Sequence, residues 1–323
     1  MALIPEFVQL HPARVALFRW LMRLSPKSGS LSQRVRAFAR TRLVRPNQFV
    51  RRRYFNGCAI WIQPDTAVGR RVMQYGIYEE STTQVIETFV RAGFSMLDVG
   101  ANIGVHVLAA ARIADRAWQR IVAFEPAPNT QTVLRQNLAA NHFEFVDVRS
   151  VALSDHAGEV TMRFPVADGG QASIMETVSA EAGSVMVPTA RLDQLFGADA
   201  TWAAVPLLIK MDAQGAELVI IRGGAQWLSQ QETIALIFEI DPPLLESDPE
   251  YLPQMATLLA RIGFVHTYKI VEDDYCCVPI VLEDIQVSGG NFNMLCLKGD
   301  KAHQVMDKLK VVEPQLPPAE TRK

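Results

Sequence analysis

Residues 95–113 read SMLDVGANIGVHVLAAARI. The first five form a short apolar run of strand length. The last nine, Val105–Ile113, are small and apolar at helical spacing, as suits a helix packed close against a sheet. Between them lies Asp98-Val99-Gly100-Ala101-Asn102-Ile103-Gly104. Glycines there let the chain turn tightly and bring backbone N–H groups against a ligand. The helix start that follows presents a partly positive end. The spacing is acid-x-Gly-x-x-x-Gly rather than GxGxxG, so pyrophosphate recognition is less supported than a ligand with an amino-acid moiety.

The pattern repeats outward from this turn. Arg120–Phe124 is a second strand, and it ends at Glu125 in VAFEPAPNT. That carboxylate stands roughly 20 residues beyond the glycine turn, where an acid accepts both hydrogen bonds of a ribose diol. Upstream, Cys58–Gln63 reads as a short strand, and Arg70–Met73 and Tyr78–Arg91 as helical. Downstream come a helix over Thr130–Asn141 and a strand over Val146–Ala152. Residues 155–190 are expected to be irregular. Leu207–Met211 and Ile234–Ile240 read as strands, Leu218–Leu228 and Leu252–Ile262 as helices, and Phe264–Ile270 and Phe292–Leu297 as closing strands. Apolar strands alternating with helices imply a mostly parallel sheet covered on both faces. Such a sheet binds its ligand beyond the carboxyl ends of its strands. Residues 155–190 and 273–291 are the expected substrate-facing segments, since loops at strand ends set substrate choice.

The chain has 323 residues, 49% hydrophobic and 20% charged, the balance of a globular protein rather than a disordered one. Cys58, Cys276, Cys277 and Cys296 form no CxxC pair, which excludes a disulfide scaffold and a zinc ribbon. Cys276 and Cys277 read most simply as small buried apolar residues. No apolar run approaches the ~20 residues of a membrane span. The net charge of −2 conceals an asymmetry: residues 1–53 carry twelve Lys or Arg and one acid, Glu6, for a net of +11, leaving −13 for the rest. The expected organisation is a basic helical arm over 1–53, a body over 54–300 and a polar, Pro-containing tail over 301–323, with Glu313–Lys323 disordered. Residues 12–24 fit an amphipathic helix with Trp20 in its stripe. Three readings of the arm stand side by side: a cap packed on the body, a helix lying in an anionic membrane surface, and a binder of nucleic-acid phosphates. No secretory signal is visible, so the expected location is cytoplasmic, with peripheral membrane contact through the arm as its variant.

Five segments together resemble the FkbM-type S-adenosylmethionine-dependent methyltransferases: GIYE at Gly76–Glu79, MLDVGANIGVHV at Met96–Val107, VAFEPAP at Val122–Pro128, VALSDHAG at Val151–Gly158 and IKMDAQGAE at Ile209–Glu217. They occur in the family's order over roughly residues 54–298. The resemblance implies an α/β fold with a Rossmann-like seven-stranded sheet, mostly parallel with an antiparallel last strand, and helices on both faces. It implies S-adenosyl-L-methionine as cofactor and a hydroxyl acceptor, often a sugar or a polyketide-like product. Carried over residue by residue, Asp98, Gly100, Asn102 and Gly104 would hold the methionine part of the cofactor and Glu125 the ribose. Ser154 and Asp155 would lie by the adenine, and Glu79 would approach the amine. The family's Asp-x-Glu-Gly-x-Glu motif departs here, because Gln214 stands where its middle Glu would be.

Methyl transfer from a sulfonium rests largely on alignment. A neutral hydroxyl acceptor additionally needs a base or a metal. Asp212, at the end of the fourth strand, is the first candidate base, with helix capping as its structural alternative. Glu239 closes the fifth strand, and His106 lies just inside the glycine-turn helix. Asp212, Glu239 and Asp241 would together suit Mg²⁺ if their strand ends converged, although the expected chemistry uses no metal. Glu217 is expected to anchor its loop through backbone N–H groups. Rival classes are an amino or nucleic-acid methyltransferase, suggested by Asp241-Pro242-Pro243-Leu244, a non-catalytic cofactor-binding module, suggested by Gln214, and a dehydrogenase, against which the missing GxGxxG argues.

Overall fold

A computed structural model of the chain describes residues 6–8, 13, 16–17, 48–64, 66–164, 183–272, 274–285 and 290–312. In chain order the strands are β1 (Glu6–Val8), β2 (Gln48–Arg53), β3 (Ala59–Ile62), β4 (Ser95–Val99), β5 (Ile121–Phe124), β6 (Asp147–Arg149), β7 (Ala152–Leu153), β8 (Gly158–Phe164), β9 (Gly183–Ala190), β10 (Leu207–Met211), β11 (Ile234–Ile240), β12 (His266–Val271), β13 (Cys276–Pro279) and β14 (Phe292–Lys298). The helices are α1 (Ala67–Tyr75), α2 (Glu80–Arg91), α3 (Val105–Ile113), α4 (Pro128–Ala139), α5 (Leu192–Phe196), α6 (Glu217–Gln230), α7 (Pro242–Ser247), α8 (Tyr251–Ile262) and α9 (Asp300–Met306).

Three buried runs, β4, β10 and β11, are neighbours at the centre of the main sheet, whose order is β13-β12-β14-β11-β10-β4-β5-β6. The strands from β6 to β11 run parallel, and β14 is antiparallel to both β11 and β12. This is the mixed, mostly parallel sheet of an α/β protein. It has eight strands rather than the expected seven, because β13 folds back on β12 as a hairpin inside the segment read as a loop.

Alternation of side chains along each strand creates two cores. Met96, Leu208, Ala235 and Ile237 face one core, which they share with Phe89 of α2, Val107 of α3, Leu134 of α4 and Val305 of α9. Leu97, Val99, Ile209, Met211 and Phe238 face the other, with Leu192 of α5, Ile221 of α6 and Met255 of α8. The same alternation carries polar side chains. Asp98 and Lys210 are register partners on β4 and β10, and both belong to the first face.

Two expectations are corrected. Residues 155–190 are not wholly irregular, since β8 and β9 pair antiparallel from Gly158↔Thr189 to Phe164↔Gly183. The run expected as one strand over 146–152 splits into β6 and β7, and β7 leaves the main sheet to pair with β9. The alternation of Val160 and Met162 against Val185 and Val187 provides the physical reason, because those four close a small core of their own with Ala127 and Ala152.

At the amino end, β2 pairs with both β1 and β3 and buries Phe49 and Val50, so the boundary expected at residue 53 falls inside a hairpin. The edge of β3 is closed by α4 rather than by a strand. Asn137 accepts from the Trp61 N–H at 2.6 Å and donates to Ile103 O at 2.8 Å, while Asn141 accepts from the Ala59 N–H at 2.7 Å. Ala13, Ala16 and Leu17 are helical and exposed, within the stretch expected as an amphipathic helix. The second basic stretch, 33–44, and the tail 313–323 lie outside the described residues. Residue 301, where the tail was expected to begin, lies within α9, and Val311 bridges to Cys277. Among the described residues no helix is long and apolar enough to cross a membrane.

Candidate active site

The turn after β4 is left-handed at three positions: Gly100 (φ 78°), Asn102 (φ 51°) and Gly104 (φ 89°). Gly100 is required twice over, because a Cβ there would lie 2.1 Å from the carbonyl oxygen of Asp212. The turns after β4 and β10 are therefore in backbone contact. Asn102 tolerates its conformation through a local bond, its Oδ1 accepting from the Ile103 N–H at 2.8 Å. Its own N–H donates to Glu125 Oε2 at 2.8 Å, and the Ala127 N–H donates to Glu125 Oε1 at 2.9 Å. Burial pushes the Glu125 carboxyl up to about 7, and those two N–H groups offset only part of the effect.

Two chambers open on either side of this contact and share Gly100, Asn102, Asp212 and Gln214 as their common wall. The first is a cleft of about 730 Å³. Phe124, Leu153, Met162 and Ile220 give it apolar walls, and Glu125 is its buried carboxylate. A flat heterocycle joined to a diol matches that combination.

The second chamber, about 830 Å³, is polar and lies on the opposite face of the sheet. Tyr78, Asp98, His106, Lys210, Asp212 and Glu239 all line it. Asp98 is buried, and its Oδ2 has no hydrogen-bond partner among the described residues. Burial raises its carboxyl to about 6, although His106 and Lys210 pull the other way. Lys210 is fully buried, with its ammonium 3.9 Å from Asp212 Oδ2. Burial alone would favour the neutral amine, but Asp212, Glu79, Asp98 and Glu239 together hold Lys210 firmly protonated. His106 meets Thr83 Oγ1 through Nδ1 at 3.3 Å and Glu79 Oε2 through Nε2 at 3.2 Å. Gln214 donates from Nε2 to Asp212 Oδ1 at 2.8 Å.

The structure thus gathers Asp98, Gly100, Asn102, Glu125, Asp212, Glu239 and His106 around one pair of chambers. Gly104 begins α3, packed against Leu134. Glu79 stands at the start of α2 in a left-handed conformation, its carboxylate bonded to His106 and to Asn293 Nδ2 at 3.2 Å. Burial opposes its charge, but Lys210 and His106 outweigh burial and hold Glu79 ionised well below the usual range. Ser154 and Asp155 directly follow the cleft-lining residues 151–153. Their side chains turn to His156. Glu217 accepts the Ala213 N–H at 2.8 Å and anchors its loop as expected. Among the described residues no three His, Cys, Asp or Glu side chains are grouped to hold a metal ion, so the Asp212, Glu239 and Asp241 triad is not assembled. Asp241 precedes α7 and lines neither chamber, which also removes the geometric basis for an Asp-Pro-Pro amine site. Sequence reasoning missed Lys210. Its signal was a lone charge inside the otherwise apolar LLIKM.

An α/β sheet with a glycine turn, a ribose-type acid and an adjoining acid-rich chamber defines a nucleoside-cofactor enzyme architecture. The family model described as the methyltransferase FkbM domain matches residues 98–266, and the chain belongs to that family. No curated protein matches it. Among solved structures it is similar to methyltransferase FkbM from Methylobacillus flagellatus KT, at 14% identity and a TM-score of 0.38, over 88% of this chain and 59% of that one. It is also similar to a SAM-dependent O-methyltransferase from Thermotoga maritima (12% identity, TM-score 0.39, 77% of each chain). A third is precorrin-6y C5,15-methyltransferase from Geobacter metallireducens GS-15 (11% identity, TM-score 0.36, 68% of this chain and 87% of that one).

Proposed function

We propose that this methyltransferase uses S-adenosyl-L-methionine to methylate a hydroxyl oxygen of a saccharide or glycoconjugate. One observation carries the reading: an apolar cleft with a buried acid meets an acid-rich chamber at the Gly100–Asp212 contact. The residues fit the cofactor. The orphaned Asp98 Oδ2 is an acceptor suited to an ammonium, and Glu125 keeps acceptor capacity for a ribose diol. Gly100 lines both chambers, and the space a side chain would take there is filled by the Asp212 carbonyl. When bound, the cofactor supplies an activated methyl group on a sulfonium. This chain's residues orient the two reactants, exclude water and take up the hydroxyl proton. Asp212, Glu239 and His106 are the groups of the second chamber able to do the last.

The hydroxyl acceptor is supported by the second chamber's lining. Asp212 and Glu239 accept hydrogen bonds, Asn291 donates one, Tyr78 offers an aromatic surface, and the one lysine is buried against carboxylates. Such a wall favours a neutral polyol over a phosphorylated or carboxylated acceptor.

Calorimetric titration with S-adenosylmethionine is the first test. Micromolar binding that weakens in Glu125→Ala is expected, and a folded protein that binds nothing overturns the reading. Radiolabelled methyl transfer across a panel of neutral saccharides then tests the acceptor, and incorporation only into amines or RNA would replace it. The reading includes peripheral membrane contact through residues 1–53 of a cytoplasmic enzyme. Co-flotation with anionic liposomes, lost when Arg14, Arg19 and Arg23 are replaced by Gln, tests it; no flotation of the intact chain ends it.

A further inference from the structure

Three groups of the second chamber could take a proton from an acceptor, and the structure treats them differently. His106 has both ring nitrogens engaged, by Thr83 and Glu79. Asp212 has both oxygens engaged: Oδ1 accepts from Gln214 Nε2, and Oδ2 faces the Lys210 ammonium. Gln214 adopts a left-handed backbone (φ 53°) in the turn that brings its amide to Asp212. Lys210 is held from behind by strand register, on the same sheet face as its partner Asp98. Glu239, at the end of β11, accepts from Asn291 Nδ2 at 3.2 Å through Oε1, while its Oε2 accepts from no group among the described residues.

We propose that Lys210 and Gln214 engage both oxygens of Asp212, and that Glu239, with one oxygen open, is therefore the group that takes the acceptor's proton. The proposal rests on the hydroxyl-methyltransferase reading above and names a division of labour within it. As the acceptor oxygen forms its bond to the methyl carbon, its O–H bond breaks, with the electron pair staying on oxygen. The proton passes to the Glu239 carboxylate, which becomes a carboxylic acid and later releases the proton to solvent. The donor sulfur keeps the electron pair of the broken S–C bond, so charge and atoms balance. Lys210 is a positioning residue in this scheme, since it acts through Asp212 and Glu239.

The electrostatics agree with the geometry. The ionisable groups facing Glu239 are Asp212 and Lys210 from the β10 end, and Glu79 and Tyr78 from the segment before α2. Burial, then Asp212, pushes Glu239 up to about 8, against Lys210. A base with a pKa near the working pH combines adequate ionisation with adequate basicity.

The test is carboxyl ¹³C NMR titration of the full chain labelled in Glu and Asp, with the two signals assigned by their loss in Glu239→Gln and Asp212→Asn. Glu239 is expected to titrate at neutral pH or above. Lys210→Met should raise the Glu239 midpoint by about one pH unit or more, and Asp212→Asn should lower it by a similar amount. A Glu239 midpoint in the ordinary carboxylate range, or one unmoved by both variants, overturns the proposal. Should Lys210→Met fail to fold, Asp212→Asn carries the same test. In methyl transfer to a saccharide, the acidic limb of kcat should follow the NMR midpoint in each variant, and a limb that stays put also overturns it. The titration needs no cofactor, so failure to bind S-adenosylmethionine would sink the methyltransferase reading separately.

Discussion

Replacing Gly100 with alanine tests the contact on which the site depends. Two costs add. Alanine in the left-handed region is disfavoured by about 1–2 kcal/mol. Its Cβ would also sit 2.1 Å from Asp212 O, where real Cβ contacts stay beyond 3.0 Å, so the two turns must part by roughly 1 Å, an overpacking cost of about 1–3 kcal/mol. Gly76 supplies the control. It has φ 82° and nothing within 4 Å of its would-be Cβ, so Gly76→Ala bears the first cost alone. Urea unfolding should show Gly100→Ala losing about 2–5 kcal/mol and Gly76→Ala about 1–2 kcal/mol. Calorimetry on the folded fraction should show S-adenosylmethionine affinity falling at least about tenfold in Gly100→Ala, or 1.4 kcal/mol, and unchanged in Gly76→Ala. Equal destabilisation by the two variants, with native affinity in both, would refute the argument that the turns touch.

Glu125→Ala should weaken S-adenosylmethionine by at least about tenfold, because it removes a buried acceptor while leaving the Asn102 and Ala127 N–H groups unpaired; an unchanged isotherm would remove Glu125 from the site. Asn137→Ala should cost about 2–4 kcal/mol in urea unfolding, since it orphans the Trp61 N–H and Ile103 O together, and a loss below about 1 kcal/mol would mean water replaces the amide. Burial raises Glu217 from 4.5 to about 7, so the folded chain keeps a proton that the unfolded chain releases. Its contribution to stability therefore falls as pH rises from 4.5 through 7. Glu217→Gln should flatten the stability–pH curve in that window, and an identical slope would contradict the assignment.

Much of the fold was legible locally. Ser95–Val99, Leu207–Met211 and Ile234–Ile240 are long apolar runs bounded by turn residues, and each matches its strand end to end. The glycine turn and Glu125 were legible because a left-handed turn and a strand-end acid have few substitutes in sequence. Residues 155–190 were misread because their Asp-Gly-Gly stretch outweighed two flanking alternations, Gly158–Phe164 and Gly183–Ala190, which pair with each other while the second also pairs with β7. Ser154 and Asp155 were placed by resemblance, and the structure shows their side chains bonded to His156 just beyond β7.

The sequence by itself determined the alternation of strands and helices, the turn at Gly100–Gly104 and the acid at the end of β5, because each is a short-range pattern of period, conformation and spacing. Only the tertiary structure decided which charges meet. Lys210 is an anomaly in an apolar strand until strand order sets β10 between β4 and β11, and register puts Asp98 opposite it. Glu79 and His106 lie 27 residues apart, and Asn293 lies 214 residues beyond Glu79, yet they share one hydrogen-bonded cluster. A buried charge is tolerable only where partners converge on it, and strand order and register, not local sequence, produce that convergence.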